Sequence, residues 1–513
     1  MASPPPAVGI DLGTTFSLVA TLDSNGKPKT IPNAEGDLST PSVVFFDGDS
    51  VIVGKEAVKA ACFEPDRIAQ FAKRDMGSAV YSKTINGEQL PPEVIQSFIL
   101  EKLKRDTEAK IGPFTKAVIT VPAYFNEPRR KATQDAGHLA GLEVLDIINE
   151  PTAAAIAFGV EKGFLSPTGT SKKAEKILVY DLGGGTFDVT VMDIDGKNCL
   201  VRSTAGDVYL GGIDFDQRIA DFVAEQFMAK YRADPRKSPM GLQRLLREAE
   251  DAKRSLSARE SVTITFEEAG QGIRVPFSRK QFEERTADLM DRTRFTTTNV
   301  LKEAGIGWSD LTRVLLVGGS SRMPMVEKML ETESGRKPDS SLSFDEAVAH
   351  GAAIYAGAIL ASHGGSAPSV KIQNVNSHSL GVLGIEPATG RPRNAVLIPK
   401  NTALPVTKRG RFKTKENDQR SVAVQVIEGG DASGNNATPI GKCVILGLPP
   451  GLSAGTPVEV AFSYSANGRL NVKARIPDLN IEASLSIERA SGLSDLALQE
   501  WDAKLRNSAT SRD

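Results

Sequence analysis

Up to about Ser362 the hydrophobic positions of the chain follow two alternating patterns. Short, continuous apolar runs predict buried strands, among them "KAVITVPAYF" (Lys116–Phe125), "KILVYDLG" (Lys176–Gly183) and "RVLLVGG" (Arg313–Gly319). Between them the apolar residues recur with helical spacing over Pro92–Ile111, Asn126–Gly141, Asp214–Tyr231 and Met240–Ser257. Strands that alternate with helices in this way predict an α/β architecture.

The pattern changes at "ASHGGSAPSVKIQ" (Ala361–Gln373), where Gly, Ser and Pro crowd together as they do in linkers. Beyond it, "SVAVQVIEGG" (Ser421–Gly430) and "PVEVAFSYSANGRLNVKARI" (Pro457–Ile476) alternate with period two. Asn467-Gly468 in the second run is a strong signal for a tight hairpin turn. Residues 374–490 are therefore predicted to form a compact antiparallel β domain.

The final stretch, Ser491–Asn507, has the pattern of a single short helix. Ser494 is placed to act as its N-cap. Leu498, Trp501 and Leu505 fall on one face of that helix, which is its predicted contact surface. We expect four segments in all: an α/β domain at 1–362, a linker at 363–373, the β domain at 374–490 and a helical tail at 491–513.

Composition narrows the class of protein. The 513 residues suffice for about three domains at roughly 150 residues each, and a net charge of −1 gives no field that favours nucleic acid or an acidic membrane. The three cysteines lie far apart, which is typical of buried thiols in a reducing compartment. The start lacks a secretory pattern, and the most apolar window, Ala347–Ala361, contains His350 and is too short to span a bilayer. We expect a cytoplasmic protein.

One motif occurs twice. "VGIDLGTTFSLVATL" (Val8–Leu22) and "VYDLGGGTFDVTVMDI" (Val179–Ile194) each place an Asp at the end of a strand before a glycine-containing turn. Such turns point successive N–H groups into one concavity that attracts phosphate, and threonine hydroxyls add donors. The turn residues are Gly13, Thr14 and Thr15 in the first copy and Gly183, Gly184, Gly185 and Thr186 in the second.

Asp11 and Asp181, which precede these turns, repel phosphate, but they are suitable for holding Mg²⁺ through its water shell. Two such hairpins from two similar halves would grip the phosphates of a nucleotide from opposite sides. The alternative for each copy is an ordinary β-hairpin with a glycine turn. A Walker A loop would bind phosphates as well, but the pattern GxxxxGK[ST] does not occur.

A third glycine turn, "LLVGGSSRMP" (Leu315–Pro324), follows another strand. Its bare backbone at Gly318 and Gly319 would let a base or ribose approach closely, and Arg322 could stack on it. Upstream, a polar stripe on one helix face consists of Glu250, Lys253, Arg254 and Ser257. The alternative for this stripe is a solvated helix face.

These motifs resemble the actin-like ATPase superfamily and, within it, the seventy-kilodalton heat-shock (DnaK-type) chaperone family. The resemblance rests on "GIDLGTT", "VITVPAYFN", "NEPTAAAIAFG", "VYDLGGGTFDV" and "LVGGSSRMPMV", in that order, and extends over residues 8–505. It implies an α/β actin-like (duplicated ribonuclease H-like) ATPase domain, then an all-β sandwich that binds peptides, then a short C-terminal helix. The chain is similar to a short, divergent bacterial-type member.

The resemblance also implies roles for individual residues. Thr14 and Thr15 would contact phosphates, with Asp11 and Asp181 orienting the waters of Mg²⁺. Lys73 would position the attacking water, with Glu150 and Asp188 as its carboxylate partners and Thr186 beside the γ-phosphate. The residues expected around the adenosine are Glu250, Lys253, Arg254, Ser257, Gly318, Gly319, Ser320, Arg322 and Asp345.

Two further groups follow from the same resemblance. Pro122 and Arg130 would relay the nucleotide state to the next domain. The peptide cleft of the β domain would be lined by Val382, Phe412, Val422 and Val424. The alternative for these four residues is ordinary sandwich core.

The chain departs from the family pattern at several places. Phe16 stands where the family has Asn or Tyr, Ile213 replaces a glutamate, and the stretch after Gly77 is short. The linker, "SVKIQNVNSHSLGV", lacks the usual run of leucines between aspartates, so we expect it to offer little apolar area for docking. We expect the lid to be reduced to Ser494–Asn507 and the acidic tail of eukaryotic cytosolic members to be absent.

The resulting hypothesis is an ATP-hydrolysing molecular chaperone whose ATPase cycle controls the binding of extended client polypeptides. Its expected cofactors are ATP/ADP and Mg²⁺, and its expected partners include a J-domain co-chaperone and a nucleotide-exchange factor, with no nucleic acid and no membrane. The main alternative is a specialised peptide-binding module with a slow nucleotide switch and no general refolding role. A small-molecule kinase on the same scaffold leaves the C-terminal β domain unexplained.

Overall fold

The computed structural model describes residues 7–166, 174–363, 370–465, 469–486 and 493–510. The strands are β1 (Val8–Asp11), β2 (Phe16–Leu22), β3 (Pro28–Ile31), β4 (Thr40–Pro41), β5 (Val43–Asp47), β6 (Ser50–Val53), β7 (Ile68–Gln70), β8 (Lys116–Val121), β9 (Glu143–Asn149), β10 (Glu175–Leu182), β11 (Phe187–Asp195), β12 (Asn198–Asp207), β13 (Ser261–Glu268), β14 (Gln271–Ser278), β15 (Arg313–Val317), β16 (Lys371–Gln373), β17 (Leu380–Ile385), β18 (Pro392–Ile398), β19 (Val406–Lys413), β20 (Ser421–Gly429), β21 (Ala437–Leu446), β22 (Pro457–Tyr464), β23 (Leu470–Ile476) and β24 (Ile481–Ser486).

The α-helices are α1 (Lys55–Ala60), α2 (Pro92–Ile111), α3 (Glu127–Leu139), α4 (Glu150–Lys162), α5 (Gly212–Tyr231), α6 (Pro239–Ala258), α7 (Arg279–Arg285), α8 (Ala287–Glu303), α9 (Pro324–Ser334), α10 (Ala347–His363) and α11 (Asp495–Thr510). The four helices predicted from periodicity are confirmed as α2, α3, α5 and α6, with ends shifted by a few residues.

The N-terminal part contains the same sheet twice. In the first lobe, which is built on the sheet β3-β2-β1-β8-β9, β1 pairs antiparallel with β2 and parallel with β8. In the second lobe, which is built on β15-β10-β11-β12-β16, β10 pairs antiparallel with β11 and parallel with β15. The order β3-β2-β1-β8 therefore matches β12-β11-β10-β15, and the repeated motif opens the corresponding hairpin in each lobe.

Two helices rich in small residues pack at the centre of this part. Helix α10 contacts both α4 and the sheet of the first lobe. A Cβ atom added at Gly351 would collide with the backbone of Ala153, and one added at Gly9 would collide with the backbone of Ala353. Close approach at these crossings therefore requires glycine, which explains the small-residue composition of "AVAHGAAIYAGA".

The β domain consists of two four-stranded antiparallel sheets, β18-β17-β20-β21 and β19-β22-β23-β24. Buried residues from both sheets share one core, as the period-two pattern predicts. Strands β22 and β23 form the predicted hairpin, with Tyr464 opposite Leu470. Its predicted turn, Asn467-Gly468, lies outside the described residues.

The terminal helix begins as predicted but extends further. Ser494 caps α11, because its Oγ accepts a hydrogen bond from the Ala497 N–H at 3.2 Å. The helix runs to Thr510 instead of stopping at Asn507. Trp501 packs against the core of the first lobe, so this face of α11 contacts the N-terminal part of the chain.

The linker docks more extensively than its polar sequence predicts. Helix α10 ends at His363, and β16 pairs in parallel with β12 at the edge of the second lobe. Val370 and Val375 are buried, and Ile372 packs against the same hydrophobic cluster. The expectation that this segment lacks apolar area for docking is wrong. Its apolar side chains are spaced along an extended strand and do not form a continuous run of leucines, so the sequence appears polar.

The β domain contacts both lobes directly. Asn401 donates a hydrogen bond from Nδ2 to Glu303 at 2.8 Å and accepts one from the Thr204 N–H at 3.2 Å, both in the second lobe. Toward the first lobe, the Glu428 carboxylate accepts the Glu127 N–H at 3.0 Å. The three cysteines are free and buried, as predicted.

Candidate functional site

A cavity of about 470 Å³ lies between the two lobes, at the mouths of the two repeated hairpins. Most of the site residues predicted from sequence line it: Asp11, Gly13, Thr14, Thr15, Lys73, Glu150, Asp181, Gly183, Gly184, Thr186, Glu250, Lys253, Arg254, Gly318, Gly319, Ser320, Arg322 and Asp345. Gly185, Asp188 and Ser257 were predicted with them but are not part of this lining. One cavity therefore unites residues from nearly the whole N-terminal part.

The two hairpin turns touch each other across the floor of the cavity. A Cβ added at Gly184 would collide with the side chain of Thr15, and one added at Gly185 would collide with Thr14. This contact explains the glycine run: any side chain here would push the lobes apart. It also places the two sets of turn N–H groups and threonine hydroxyls around one space, which suits an anionic ligand.

The two aspartates flank that floor. Burial and the nearby Glu150 carboxylate raise the pKa of Asp11 to about 7, although Lys73 and a 3.0 Å hydrogen bond from Thr120 favour its ionised form. Burial and the surrounding carboxylates also raise the pKa of Asp181.

Carboxylates that repel one another in a buried space are stabilised by a cation between them. Asp11 and Asp181 thus fit a Mg²⁺ ion that keeps most of its waters. Within the described ranges no set of three or more His, Cys, Asp or Glu side chains converges on a metal position.

Lys73 and Glu150 form a buried ion pair beside the aspartates. The Lys73 Nζ donates to the Glu150 carboxylate at 2.5 Å, and Lys73 is only 3% exposed. Lys73 belongs to a short 3₁₀ turn, Ala72–Asp75, and Glu150 begins helix α4. The pair holds an ammonium group at a defined point of the cavity, where it can donate to a ligand or to water.

Arg74 was not predicted from sequence, although it directly follows the predicted Lys73. Its guanidinium donates to the Gly185 carbonyl at 2.9 Å and pairs with Asp214 at 2.5 Å. Asp214 in turn accepts the Gly211 N–H at 2.7 Å at the start of α5. Arg74 therefore connects the first lobe with the second hairpin and holds the Gly185 backbone in place. Neither Arg74 nor Gly185 lines the cavity.

Asp188 lies behind the cavity. Its carboxylate accepts the Tyr124 N–H at 3.0 Å, and burial, with the nearby Glu150 charge, raises its pKa to about 8. Tyr124 precedes α3, where the β domain docks, and its carbonyl lies 3.0 Å from the His378 Nε2. Asp188 thus connects the second hairpin with the interdomain contact.

The opposite end of the cavity carries two arginines. Arg254 pairs with Glu250 at 2.6 Å and lies 5.4 Å from the Phe16 ring centroid. Arg322 forms a bidentate pair with Asp345, both contacts at 2.8 Å, and lies over Phe344 at 4.8 Å. Flat guanidinium groups held in this way suit stacking against a planar base.

Three residues of the polar stripe predicted on α6, Glu250, Lys253 and Arg254, line the cavity, whereas the fourth, Ser257, forms a hydrogen bond within the helix. Lys253 donates to the Asp216 carboxylate at 2.7 Å and to the Gly212 carbonyl at 2.9 Å. Ser257 donates back to the Lys253 carbonyl at 3.4 Å. Asp216, which also lines the cavity, was missed because an acidic residue on a helix gives no signal of its surroundings.

The predicted coupling residues lie between the cavity and the β domain. The Arg130 guanidinium donates to Asn149 at 2.7 Å and to the carbonyls of Phe125 and Ala123 at 3.0 and 3.3 Å. Asn149 immediately precedes Glu150. Pro122, which is buried, begins the segment that these carbonyls belong to.

The residues predicted for a peptide cleft lie in the sandwich core. Val382, Val422 and Val424 are buried, and Phe412 is partly buried against the same cluster. In this conformation the three valines pack against other core residues, so a cleft there would require strands of the two sheets to separate. Their role in peptide binding stays a prediction.

Among the residues that the structure describes, no helix combines the length and the apolar character needed to cross a membrane. The model of a protein family described as Hsp70 protein matches residues 7–512 of the chain. The match includes both lobes, the β domain and the terminal helix.

Proposed function

Because the chain belongs to the Hsp70 protein family, whose members are ATPases that act as chaperones, we propose that it binds ATP between its lobes and hydrolyses it to ADP and phosphate. The observation that carries this proposal is the Lys73–Glu150 ion pair, which is buried beside two aspartates at the contact of two glycine hairpins. A cavity with N–H groups, hydroxyls, one ammonium and two carboxylates has the chemistry that a metal-bound triphosphate requires.

Hydrolysis forms a bond from a water oxygen to the γ-phosphorus and breaks the bond to the β–γ bridging oxygen. The protein contributes mainly position and charge. Glu150 holds the Lys73 ammonium where it can orient the attacking water, and the Thr14, Thr15 and Thr186 hydroxyls can donate to phosphate oxygens. Mg²⁺, when held through water by Asp11 and Asp181, neutralises part of the phosphate charge.

We further propose that the nucleotide state controls how the β domain binds extended segments of unfolded polypeptide. The docked linker strand β16 and the contacts of the β domain with both lobes support this proposal, because a shift between the lobes alters all of these contacts together. The residues proposed for the peptide cleft remain Val382, Phe412, Val422 and Val424. As for the family generally, we propose J-domain and exchange-factor partners.

The domain boundary that we propose lies between the end of α10 at His363 and the start of β16 at Lys371. The alternative, a specialised peptide-binding module with a slow nucleotide switch and no general refolding role, rested on the polar linker and on the reduced lid. The burial of Val370 and Val375 against the second lobe weighs against the first of these premises.

The direct test is ATP hydrolysis by Lys73→Ala and Thr186→Ala variants. Removing one positioned donor should lower kcat by at least about tenfold while nucleotide binding stays measurable. Lys280→Ala, which removes an exposed ion pair with Glu284, is the matched control and should keep wild-type turnover. Turnover that is unchanged in both cavity variants would refute the assignment of these residues.

Coupling is tested by the release of a labelled unfolded peptide. We expect the peptide to dissociate faster with ATP than with ADP, because we propose that bound ATP lowers the free energy of the open conformation of the β domain, which releases peptide. Equal dissociation rates in the two states would favour the specialised binding module with a slow nucleotide switch.

A further inference from the structure

Arg129 packs against the turn that carries Lys73. The residue lies in the first turn of α3. Its guanidinium Nη1 donates to the carbonyl of Arg74 at 3.0 Å, within the 3₁₀ turn Ala72–Asp75. A Cβ atom added at Gly77, just beyond this turn, would lie 2.9 Å from the Arg129 Cγ. The turn and the backbone that follows it therefore rest on the Arg129 side chain.

Lys73 and Arg129 also share one aromatic neighbour, the buried Phe125. The Arg129 guanidinium carbon lies 5.3 Å from the centroid of the Phe125 ring, and the Lys73 Nζ lies 5.9 Å from it. The face of an aromatic ring attracts cations over this range. Glu150 binds one of the ammonium hydrogens of Lys73. The position of the ammonium is thus set by Glu150 and by a ring that Arg129 covers.

Tyr209 of the second lobe completes this arrangement. The Arg129 Nη2 donates to the Tyr209 hydroxyl at 3.1 Å, and the guanidinium carbon lies 5.6 Å from the Tyr209 ring centroid. A guanidinium is planar and rigid, so a bond that holds Nη2 also fixes the direction in which Nη1 donates. Neither Arg129 nor Tyr209 lines the cavity. Arg129 therefore joins the two lobes from outside the cavity while it supports the Lys73 turn.

The alternative for the Arg129–Tyr209 contact is ordinary packing that stabilises the closed lobes. Tyr209 is 54% exposed, so the contact removes little apolar area from water. Its main effect is on the direction of the hydrogen bond from Nη1 to the Arg74 carbonyl. This geometry favours a positioning role over a packing role.

We propose that Arg129 is a positioning residue for the Lys73 ammonium, and that Tyr209 aligns Arg129 when the lobes are closed. The inference rests on the proposed ATP hydrolysis and adds two residues that act on it without touching the nucleotide. Displacement of a positioned group by about 1 Å can lower a rate about a hundredfold. Loss of this support should therefore be measurable in kcat.

The first experiment compares the rate of hydrolysis with the affinity for ATP. The rate is measured in single turnovers at saturating ATP, and the affinity by titration calorimetry, both in Mg²⁺ buffer. We expect Arg129→Ala to lower the rate by about tenfold and to keep the ATP affinity within about twofold of wild type, because the side chain lies outside the cavity. An unchanged rate, or a rate and an affinity that fall by the same factor, would overturn the inference.

Arg218→Ala is the matched control, because it removes an exposed ion pair with Asp288 in the second lobe. It should keep both the wild-type rate and the wild-type affinity. A wild-type chain that neither binds nor hydrolyses ATP would instead refute the proposed function.

The second experiment tests whether Arg129 acts through Lys73. In a double-mutant cycle we expect Arg129→Ala to have no further effect on the rate in the Lys73→Ala background, because the group that Arg129 positions is then gone. A purely structural role predicts that the two effects multiply. Multiplied effects would therefore overturn the inference.

Tyr209→Phe tests the contact with the second lobe by a mild change at an exposed position. The variant keeps the ring beside the guanidinium and removes the hydroxyl that accepts from Nη2. We expect the rate to fall by about threefold in the wild-type background and to stay unchanged in the Arg129→Ala background. A wild-type rate in the single variant would overturn the alignment of Arg129 by Tyr209.

Discussion

The contact between the first lobe and the β domain contains two acidic side chains side by side. Glu428 of β20 is buried and accepts the N–H of Glu127, the first residue of α3. The Glu127 Oε2 is shielded from solvent and has no hydrogen-bond partner among the described residues. Burial and the charge of the other carboxylate raise the pKa of Glu127 to about 8, and burial raises the pKa of Glu428 to about 7.

The remaining charged groups at this contact do not remove the repulsion. Arg130, Arg469 and Lys131 favour ionised carboxylates, yet Arg130 donates its hydrogen bonds elsewhere and Lys131 pairs with Asp135. The buried Tyr464 has a raised pKa and stays neutral. We therefore expect the docked state to hold at least one proton on the Glu127–Glu428 pair at neutral pH.

The sign of the pH dependence follows from these shifts. An exposed Glu has a pKa near 4.5, so undocking at neutral pH releases the proton that the docked pair holds. The two carboxyls therefore favour docking most strongly below pH about 4.5, and their contribution is progressively lost as pH rises through about 7 and 8. His378 has the opposite effect, because burial lowers its pKa to about 4 and undocking lets it take up a proton below about 6.5. Above pH about 6.5 this opposing effect is absent, and the two carboxyls set the sign of the slope.

Hydrogen exchange of the Glu127 amide measures docking even when undocking is rare. The Glu127 N–H donates to the Glu428 carboxylate at 3.0 Å, so it is protected while the β domain is docked on the first lobe. If docking takes up one proton, the protection factor of this amide should fall by about tenfold per pH unit between about pH 6.5 and 8.5. The factor is first corrected for the intrinsic exchange rate, which itself depends on pH. Glu428→Gln keeps an acceptor for the Glu127 N–H and removes one charge. It should raise protection at pH about 8 and flatten the slope.

Glu416→Gln is the matched control, since Glu416 is exposed in the same domain and pairs only with the neighbouring Lys415. It should reproduce the wild-type slope. If the wild-type protection factor is independent of pH over this window, or if Glu428→Gln has the wild-type slope, the two carboxyls do not control docking and the reasoning fails.

Two further predictions concern the hairpin contact and the linker. Gly184→Ala should weaken ATP binding by about tenfold in a titration, because the new methyl group pushes Thr15 and the first hairpin away. The control is Gly384→Ala, whose added methyl group meets no neighbour within 4 Å and which should bind ATP normally. Unaltered ATP affinity of the Gly184 variant would contradict the contact between the hairpins. Ile372→Asp should reduce linker docking by about fivefold or more, because partial burial of an Ile side chain contributes about 1 kcal/mol. Peptide release by the Ile372 variant should then respond less to ATP. Gln373 is exposed, so the Gln373→Asp control should behave as wild type. An undiminished ATP response in the Ile372 variant would show that the apolar contact is unimportant.

Local patterns were sufficient to predict several of the elements and many of the residues that line the central cavity. Apolar periodicity predicted α2, α3, α5 and α6, and the period-two runs predicted β20, β22 and β23. The repeated motif predicted that Asp11 and Asp181 lie at the ends of equivalent strands. These inferences succeed because backbone geometry fixes the side-chain period of a helix or strand wherever one face is buried.

Only the tertiary structure decided which polar residues meet. Asp216 and Glu428 are ordinary acidic positions in sequence, and the fold buries the first beside Lys253 and the second beside Glu127. Arg74 lies next to a predicted residue, yet its contact with Gly185 requires both lobes. The linker appears polar in sequence until Val370 and Ile372 are placed against the second lobe. Burial and electrostatic interaction depend on distance in space, and local sequence patterns do not show which distant segments come together.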